Sequence, residues 1–188
     1  MAYRNGTYVA FDGNGTTNPT KSDMKYFGLL RSWNTSNKTD FTFSDSHKKT
    51  YQVRDTSLKR TLQLRLLERM RNSKNMLLII SEDTNWDRGM LNFEIEKAID
   101  FYEIPIIVAY TGYEYLINPQ TLSDKWPKAL HERINNNTAK CIHIPFRQKC
   151  ITAAISQFSV NNKDDQLTSP LHYYSEEAYK QWGYIDKF

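Results

Sequence analysis

Cysteine is scarce in this sequence, and long apolar runs are missing from it. The two cysteines among 188 residues, Cys141 and Cys150, are too few for a disulfide framework, and their spacing fits no metal-binding motif. No apolar run approaches the length of a membrane span, and the first residues lack the apolar core of a secretory signal peptide. We therefore expect a reduced, cytoplasmic protein without membrane contact.

The chain also lacks a concentrated basic face. Its formal charge at pH 7 is a modest +4, and leucines at helical spacing interrupt its densest basic cluster, KRTLQLRLLERMR (59–71). Such a pattern is typical of a solvated helix face, whereas a nucleic-acid footprint needs Lys and Arg gathered on one surface. We expect no nucleic acid among the partners. The four histidines are dispersed along the chain, so no metal site is expected either.

What the sequence does contain is an alternation of apolar, β-rich runs with helical patterns. Apolar residues make up 39% of the chain, which is enough for a packed core. Strands are predicted at residues 7–12, 41–45, 76–81, 104–111 and 141–146. The clearest helix is predicted at 54–73, where Leu58, Leu62, Leu66 and Met70 recur every fourth residue. Two of the strands are apolar throughout, which is typical of a parallel sheet covered by helices. The sequence therefore predicts an α/β three-layer sandwich around a central five-stranded parallel sheet.

A polar stretch, NNKDDQLTSP (161–170), marks a boundary near the C-terminus. The segment after it, LHYYSEEAYKQWGY, has too many aromatic residues for a solvated linker. We predict a domain at residues 1–160 and a C-terminal extension at 161–188 that docks on it as an extra helical segment.

Polar loops follow the first three predicted strands: DGNGTT, SDSHKK and EDTNWDRGM. Ligands of such sheets bind outside the carboxyl ends of the strands, so these loops are expected to meet a substrate. Asn14, Asp45, Trp86 and Arg88 are candidate substrate-binding residues for this reason. DGNGTT has the glycines and hydroxyls of a phosphate-cradling loop, although an ordinary surface turn has the same composition.

Glu94 lies in the first turns of the helix predicted after the third strand. On a helical wheel it is at the edge of the apolar stripe that contains Leu91, Ile95 and Ala98. Acidic residues favour helix starts through the macrodipole, so the pattern alone leaves a structural role open. The position beside the carboxyl end of a strand favours a function. Glu96 falls on the outer face and is expected to be a surface carboxylate.

The order of four segments, YVAFD, FTFSDS, MLLIISEDT and LNFEIEKAI, resembles the TIR-like domains of bacteria. Over residues 5–160 the chain is similar to the ThsB family of Thoeris antiphage systems. The resemblance implies a TIR-like, flavodoxin-like fold and NAD-consuming chemistry. It implies that Glu94 is the catalytic glutamate and that Phe11, Asp12 and Ser46 face the nucleotide. Two positions depart from the usual pattern: Met90 stands where many TIR enzymes have Trp, and Phe11-Asp12 where they have Ser-Tyr.

The resemblance also implies partners. NAD would be the substrate, with no separate cofactor, and the product would be a cyclic ADP-ribose isomer that activates ThsA, an effector that depletes NAD. Activation by formation of a homo-oligomer is a further expectation.

Two other functions fit parts of the sequence. Many TIR domains are non-catalytic assembly modules, and Tyr113, Tyr115 and the aromatic C-terminal segment could serve contacts alone. Nucleoside deoxyribosyltransferases share the layered α/β form and a catalytic glutamate, but act on free nucleosides.

Overall fold

A parallel sheet forms the centre of the computed structural model, which describes residues 4–14, 16, 22–36 and 59–186. Within these residues the sheet has four strands: β1 (Gly6–Ala10), β2 (Ser73–Ile80), β3 (Ile106–Tyr110) and β4 (Cys141–Pro145). They lie in the order β1-β2-β3-β4, and each neighbouring pair is parallel. All residues of β1, β3 and β4 are buried, which explains why their sequences are mainly apolar and do not alternate with exposed polar residues.

The predicted α/β class and the parallel sheet are confirmed, but the described sheet has four strands rather than five. The strand predicted at 41–45 lies outside the described residues. A second difference is the start of β2, which begins at Ser73 rather than at residue 76. The apolar pattern missed this start because its residues are polar, although the side chains of Ser73 and Asn75 are hydrogen-bonded in the fold. The Ser73 hydroxyl, for example, donates to the Arg69 carbonyl at 2.9 Å.

Helices cover both faces of the sheet. They are α1 (Met24–Thr35), α2 (Lys59–Arg71), α3 (Gly89–Glu96), α4 (Lys128–Asn135), α5 (Gln148–Gln157) and α6 (Glu176–Trp182), with a π-helical turn at Lys97–Phe101 and a 3-10 segment at Pro119–Lys125. One core lies between the sheet and α2, α3 and α4. The other lies between the sheet and α1, α5 and α6. Alternate residues of a strand enter alternate cores, so Tyr8 faces α3 while Val9 faces α1. None of the described helices has the length and apolarity needed to cross a membrane.

The apolar stripes of two helices match their predictions in part. On α3 and the following turn, Leu91, Ile95 and Ala98 are buried as expected. On α2, Leu66 and Met70 are buried, but Leu62 is 37% exposed. Leu58 lies outside the described residues.

The C-terminal segment contacts the sheet and the loop after β3. Tyr179 on α6 is fully buried, and its hydroxyl donates to the Leu116 carbonyl at 3.0 Å.

His143 of β4 is also fully buried. Its Nε2 lies 2.8 Å from the Pro170 carbonyl oxygen, and its Nδ1 lies 2.7 Å from the Tyr110 hydroxyl. Because a carbonyl only accepts, Nε2 carries the proton. Burial lowers the pKa of His143 to about 4, so this histidine is neutral. The predicted boundary at residue 160 stays a prediction.

Asn75 joins β1, β2 and the end of α5 through a buried hydrogen-bond network. Its Oδ1 accepts from the Thr7 hydroxyl at 2.9 Å. Its Nδ2 donates to the carbonyls of Ile155 and Phe158 at 3.2 and 2.7 Å. The side chain is fully buried, so water cannot replace it.

Replacing Asn75 with alanine is expected to lower the free energy of unfolding by roughly 3 kcal/mol, because it leaves buried polar groups unpaired. Urea unfolding followed by circular dichroism measures this. Asn135→Ala, which removes an exposed amide, is the matched control and should change stability by less than about 0.5 kcal/mol. Equal effects of the two substitutions would contradict the expectation.

Candidate active site

Asp12 joins the loop after β1 to the loop after β2. It is fully buried, and it accepts hydrogen bonds from the backbone N–H of Asn14 at 2.8 Å and of Asn85 at 3.0 Å. Carboxylates of this kind satisfy loop amides that have no partner in the sheet. Asp12 therefore holds together two of the polar loops at the carboxyl edge.

Arg88, the residue before α3, forms an ion pair with Asp12. Its Nε lies 2.8 Å from Asp12 Oδ1, although the N–H is not aligned for a hydrogen bond. The Arg88 side chain is 38% exposed, whereas that of Asp12 is fully buried. The structure thus brings together three residues predicted from the sequence: Asp12, Asn14 and Arg88.

Asp12 is expected to matter far more for stability than its cationic partner. Asp12→Ala leaves two loop N–H groups without an acceptor and should lower the free energy of unfolding by roughly 2–3 kcal/mol. Arg88→Ala removes a half-exposed charge and should cost less than about 1 kcal/mol, because the backbone donors still solvate the carboxylate. Urea unfolding of the two variants decides this. A larger loss in Arg88→Ala than in Asp12→Ala would contradict it.

Asp23, which the sequence analysis did not single out, lies beside this link at the start of α1. It is fully buried, its Oδ2 accepts from the Thr84 hydroxyl at 3.3 Å, and its Oδ1 has no hydrogen-bond partner among the described residues. Burial raises the pKa of Asp23, contacts with the Ser81 and Thr84 hydroxyls oppose the rise, and the charge of Asp12 adds to it. The only signal in the sequence was the Ser-Asp pair before a helix, which also fits an ordinary N-cap.

Glu94 is buried on α3, with 8% of its surface exposed. The hydroxyl of Tyr8, from the middle of β1, donates a hydrogen bond to Glu94 Oε1. Burial raises the pKa of Glu94 to about 7, while the Tyr8 hydrogen bond and the positive charge of Arg69 on α2 oppose the rise. Near neutral pH this carboxyl group is therefore divided between its protonated and ionised forms. Such tuning is a frequent property of catalytic carboxylates.

Asn92 fixes the start of α3 against its neighbours. Its Oδ1 accepts from the backbone N–H of Ala129 on α4 at 2.9 Å, and its Nδ2 donates to the Trp86 carbonyl at 3.3 Å. The Trp86 ring is 44% exposed and makes a T-shaped contact with the His131 ring, with ring centroids 5.1 Å apart. Trp86 is thus held at the rim of the loop, against α4.

The remaining candidates lie in different places. Phe11 stacks on Phe27 of α1, with ring centroids 5.7 Å apart, and so packs on the face of the sheet opposite to Tyr8. Asp45 and Ser46 lie outside the described residues. Contact of any of these residues with a substrate stays a prediction. In the described part of the chain, no three His, Cys, Asp or Glu residues are grouped so that they could hold a metal ion.

A family model described as the TIR-like domain of the Thoeris protein ThsB matches residues 8–114. This range is more than half of the 188 residues. It runs from Tyr8 in β1 past the end of β3 and includes Asp12, Arg88 and Glu94. The match lies inside the range, 5–160, over which the sequence resembles that family.

Proposed function

The chain belongs to the Thoeris ThsB family of TIR-like domains, and from this membership we propose that it cleaves NAD at the bond between nicotinamide and ribose. The product is a cyclic ADP-ribose isomer, which diffuses to the partner effector ThsA and activates it. The observation that carries the proposal is the buried carboxyl group of Glu94, on the helix that follows β2 and with a pKa raised to about 7.

A single carboxylate suffices for this reaction. Nicotinamide in NAD is already cationic, so it leaves without protonation by an acid. As the bond breaks, positive charge develops on the ribose, as in glycoside hydrolysis. An ionised Glu94 that binds the ribose hydroxyls stabilises this charge and orients the sugar.

Burial of Glu94 has two consequences for the reaction. The attraction between a carboxylate and the developing charge is stronger where water is excluded. Excluding water also favours capture of the sugar cation by another part of the same molecule, which gives a cyclic product rather than free ADP-ribose.

The loops at the carboxyl edge supply the substrate contacts in this proposal. Asn14 and Arg88 both contact Asp12 and provide donors for the phosphates. The exposed ring of Trp86 provides a stacking surface for a base. Phe11, Asp45 and Ser46 complete the predicted set. NAD is the substrate, no separate cofactor is required, and the active form is a homo-oligomer.

Mass spectrometry of small molecules from phage-challenged cells that express this chain tests the proposal. We expect a compound with the mass of ADP-ribose less one water, formed as NAD falls. Assembly of the protein without any NAD-derived product would instead support a non-catalytic module. Turnover of deoxynucleosides but not of NAD would support a nucleoside deoxyribosyltransferase.

A further inference from the structure

Tyr8 is the direct side-chain partner of Glu94, and the sheet fixes its position. It lies in β1 in register with Met76 of β2, and it is fully buried. Its ring passes beneath α3, and its hydroxyl donates to Glu94 Oε1. The donor thus comes from a fully buried strand of the central sheet, whereas the acceptor is on a helix.

We propose that Tyr8 is a positioning residue for Glu94, whose hydroxyl holds the carboxylate in one orientation and stabilises its ionised form. The effect on turnover depends on the proposed NAD cleavage, but the effect on Glu94 does not.

The surroundings of Glu94 explain why such a donor is needed. On its own helix and the turn that follows it, the neighbours Leu91, Ile95 and Ala98 are apolar and buried, so they offer nothing to a negative charge. Hydrogen bonding to the ionised form of a buried acid opposes the cost of desolvation. Among the described residues, the groups acting on this carboxyl are the Tyr8 hydroxyl from β1 and the Arg69 guanidinium from α2. Arg69 acts through its charge, whereas Tyr8 makes the hydrogen bond.

The phenol serves as a donor rather than as a second acid. Burial and the adjacent Glu94 raise the pKa of Tyr8 well above its usual value. The hydroxyl therefore keeps its proton across the pH range in which Glu94 ionises, and its hydrogen bond always favours the carboxylate.

Tyr8→Phe keeps the ring and removes this donor. We expect the titration midpoint of Glu94 to rise by about one to two pH units, which is the effect of losing one hydrogen bond to a charged group. If NAD cleavage requires the carboxylate, the acidic limb of the kcat–pH profile should move upward by the same amount.

Carbon-13 NMR of the glutamate side-chain carboxyls measures the midpoint directly, with Glu94→Gln used to assign the Glu94 signal. Tyr179→Phe is the matched control, because it also removes a hydroxyl that donates to a backbone carbonyl inside the protein, but Tyr179 belongs to the other core of the fold. We expect the midpoint to move in Tyr8→Phe and to stay in Tyr179→Phe. An unchanged midpoint in Tyr8→Phe would overturn the proposal.

A second variant covers the case in which Tyr8→Phe does not fold. Site-specific replacement of Tyr8 by 3-fluorotyrosine makes the phenol a stronger donor, so the Glu94 midpoint should fall rather than rise. A midpoint that does not fall in the folded fluorinated protein would also overturn the proposal. If both shifts appear but wild-type protein never cleaves NAD, the positioning role stands and the proposed function fails alone.

Discussion

Glu94→Gln is expected to abolish nicotinamide release from NAD while the protein stays folded. The amide has the shape of the carboxylate and can still accept from the Tyr8 hydroxyl, so packing around α3 should persist. It carries no charge and cannot stabilise positive charge on the ribose. Losing one electrostatic contact that acts in the transition state commonly costs about 10²–10³-fold in kcat, and loss of the central charge should cost at least that much.

Release of nicotinamide from NAD, measured by liquid chromatography, decides this. Glu96→Gln is the matched control, because Glu96 is on the same helix two residues away and is not part of the proposed site. We expect Glu96→Gln to keep wild-type turnover. Undiminished turnover in a folded Glu94→Gln protein would remove Glu94 from the mechanism.

The same substitution is expected to stabilise the protein above neutral pH. The pKa of Glu94 rises from 4.5 to about 7 on folding, so the folded protein holds this proton more tightly than the unfolded chain does. The stability from the protonated group is fully present below pH 4.5 and is lost as the pH rises through about 7. At about 1.4 kcal/mol per tenfold change in ionisation constant, the loss amounts to roughly 3 kcal/mol. Glutamine does not ionise, so Glu94→Gln does not suffer this loss of stability.

Urea unfolding at pH 4.5 and pH 8 measures this difference. Other groups also change the stability of the fold in this pH interval. The pKa of His143 is lowered in the folded protein, so its contribution to stability is lost as the pH falls. Subtracting wild type from Glu94→Gln cancels such contributions. We expect Glu94→Gln to be more stable than wild type by roughly 3 kcal/mol at pH 8 and close to wild type at pH 4.5. An equal difference at both pH values would show that Glu94 ionises as freely in the folded protein as in the unfolded chain.

The loss of turnover and the gain in stability expected for Glu94→Gln have the same physical cause. A carboxylate that is buried among apolar residues is costly to the fold, and the same burial makes it effective toward a developing positive charge. Active sites commonly store free energy in this way, so that removing the catalytic group raises stability.

The sequence predicted the sheet well, because the strands at residues 76–80 and 106–110 are apolar on both faces and no competing pattern fits them. It predicted Glu94 as the candidate catalytic residue from its place after a strand and from the family resemblance. It did not predict that Glu94 would be buried, since a helical wheel put this residue only at the edge of the apolar stripe. Burial depends on how α3 packs over β1, which is a tertiary property.

Two members of the candidate site could not have been found in the sequence. Tyr8 looked like an ordinary strand residue, because a buried tyrosine shows no sign of where its hydroxyl will point. Asp23 was not singled out in the sequence, and only the fold brings it beside Asp12, whose backbone carbonyl accepts from the Asp23 N–H at 3.3 Å. The family resemblance predicted that Phe11 faces the nucleotide. Its ring stacks on Phe27, and its contact with a substrate stays a prediction.

The most direct test of the central claim is a crystal structure of the protein with carba-NAD. In this analogue a carbon replaces the ribose ring oxygen, so that nicotinamide cannot leave. We expect the hydroxyls of the nicotinamide-side ribose to lie within hydrogen-bond distance of the Glu94 carboxylate, roughly 2.6–3.0 Å. Carba-NAD bound with that ribose distant from Glu94, and another acid group against it, would contradict the account.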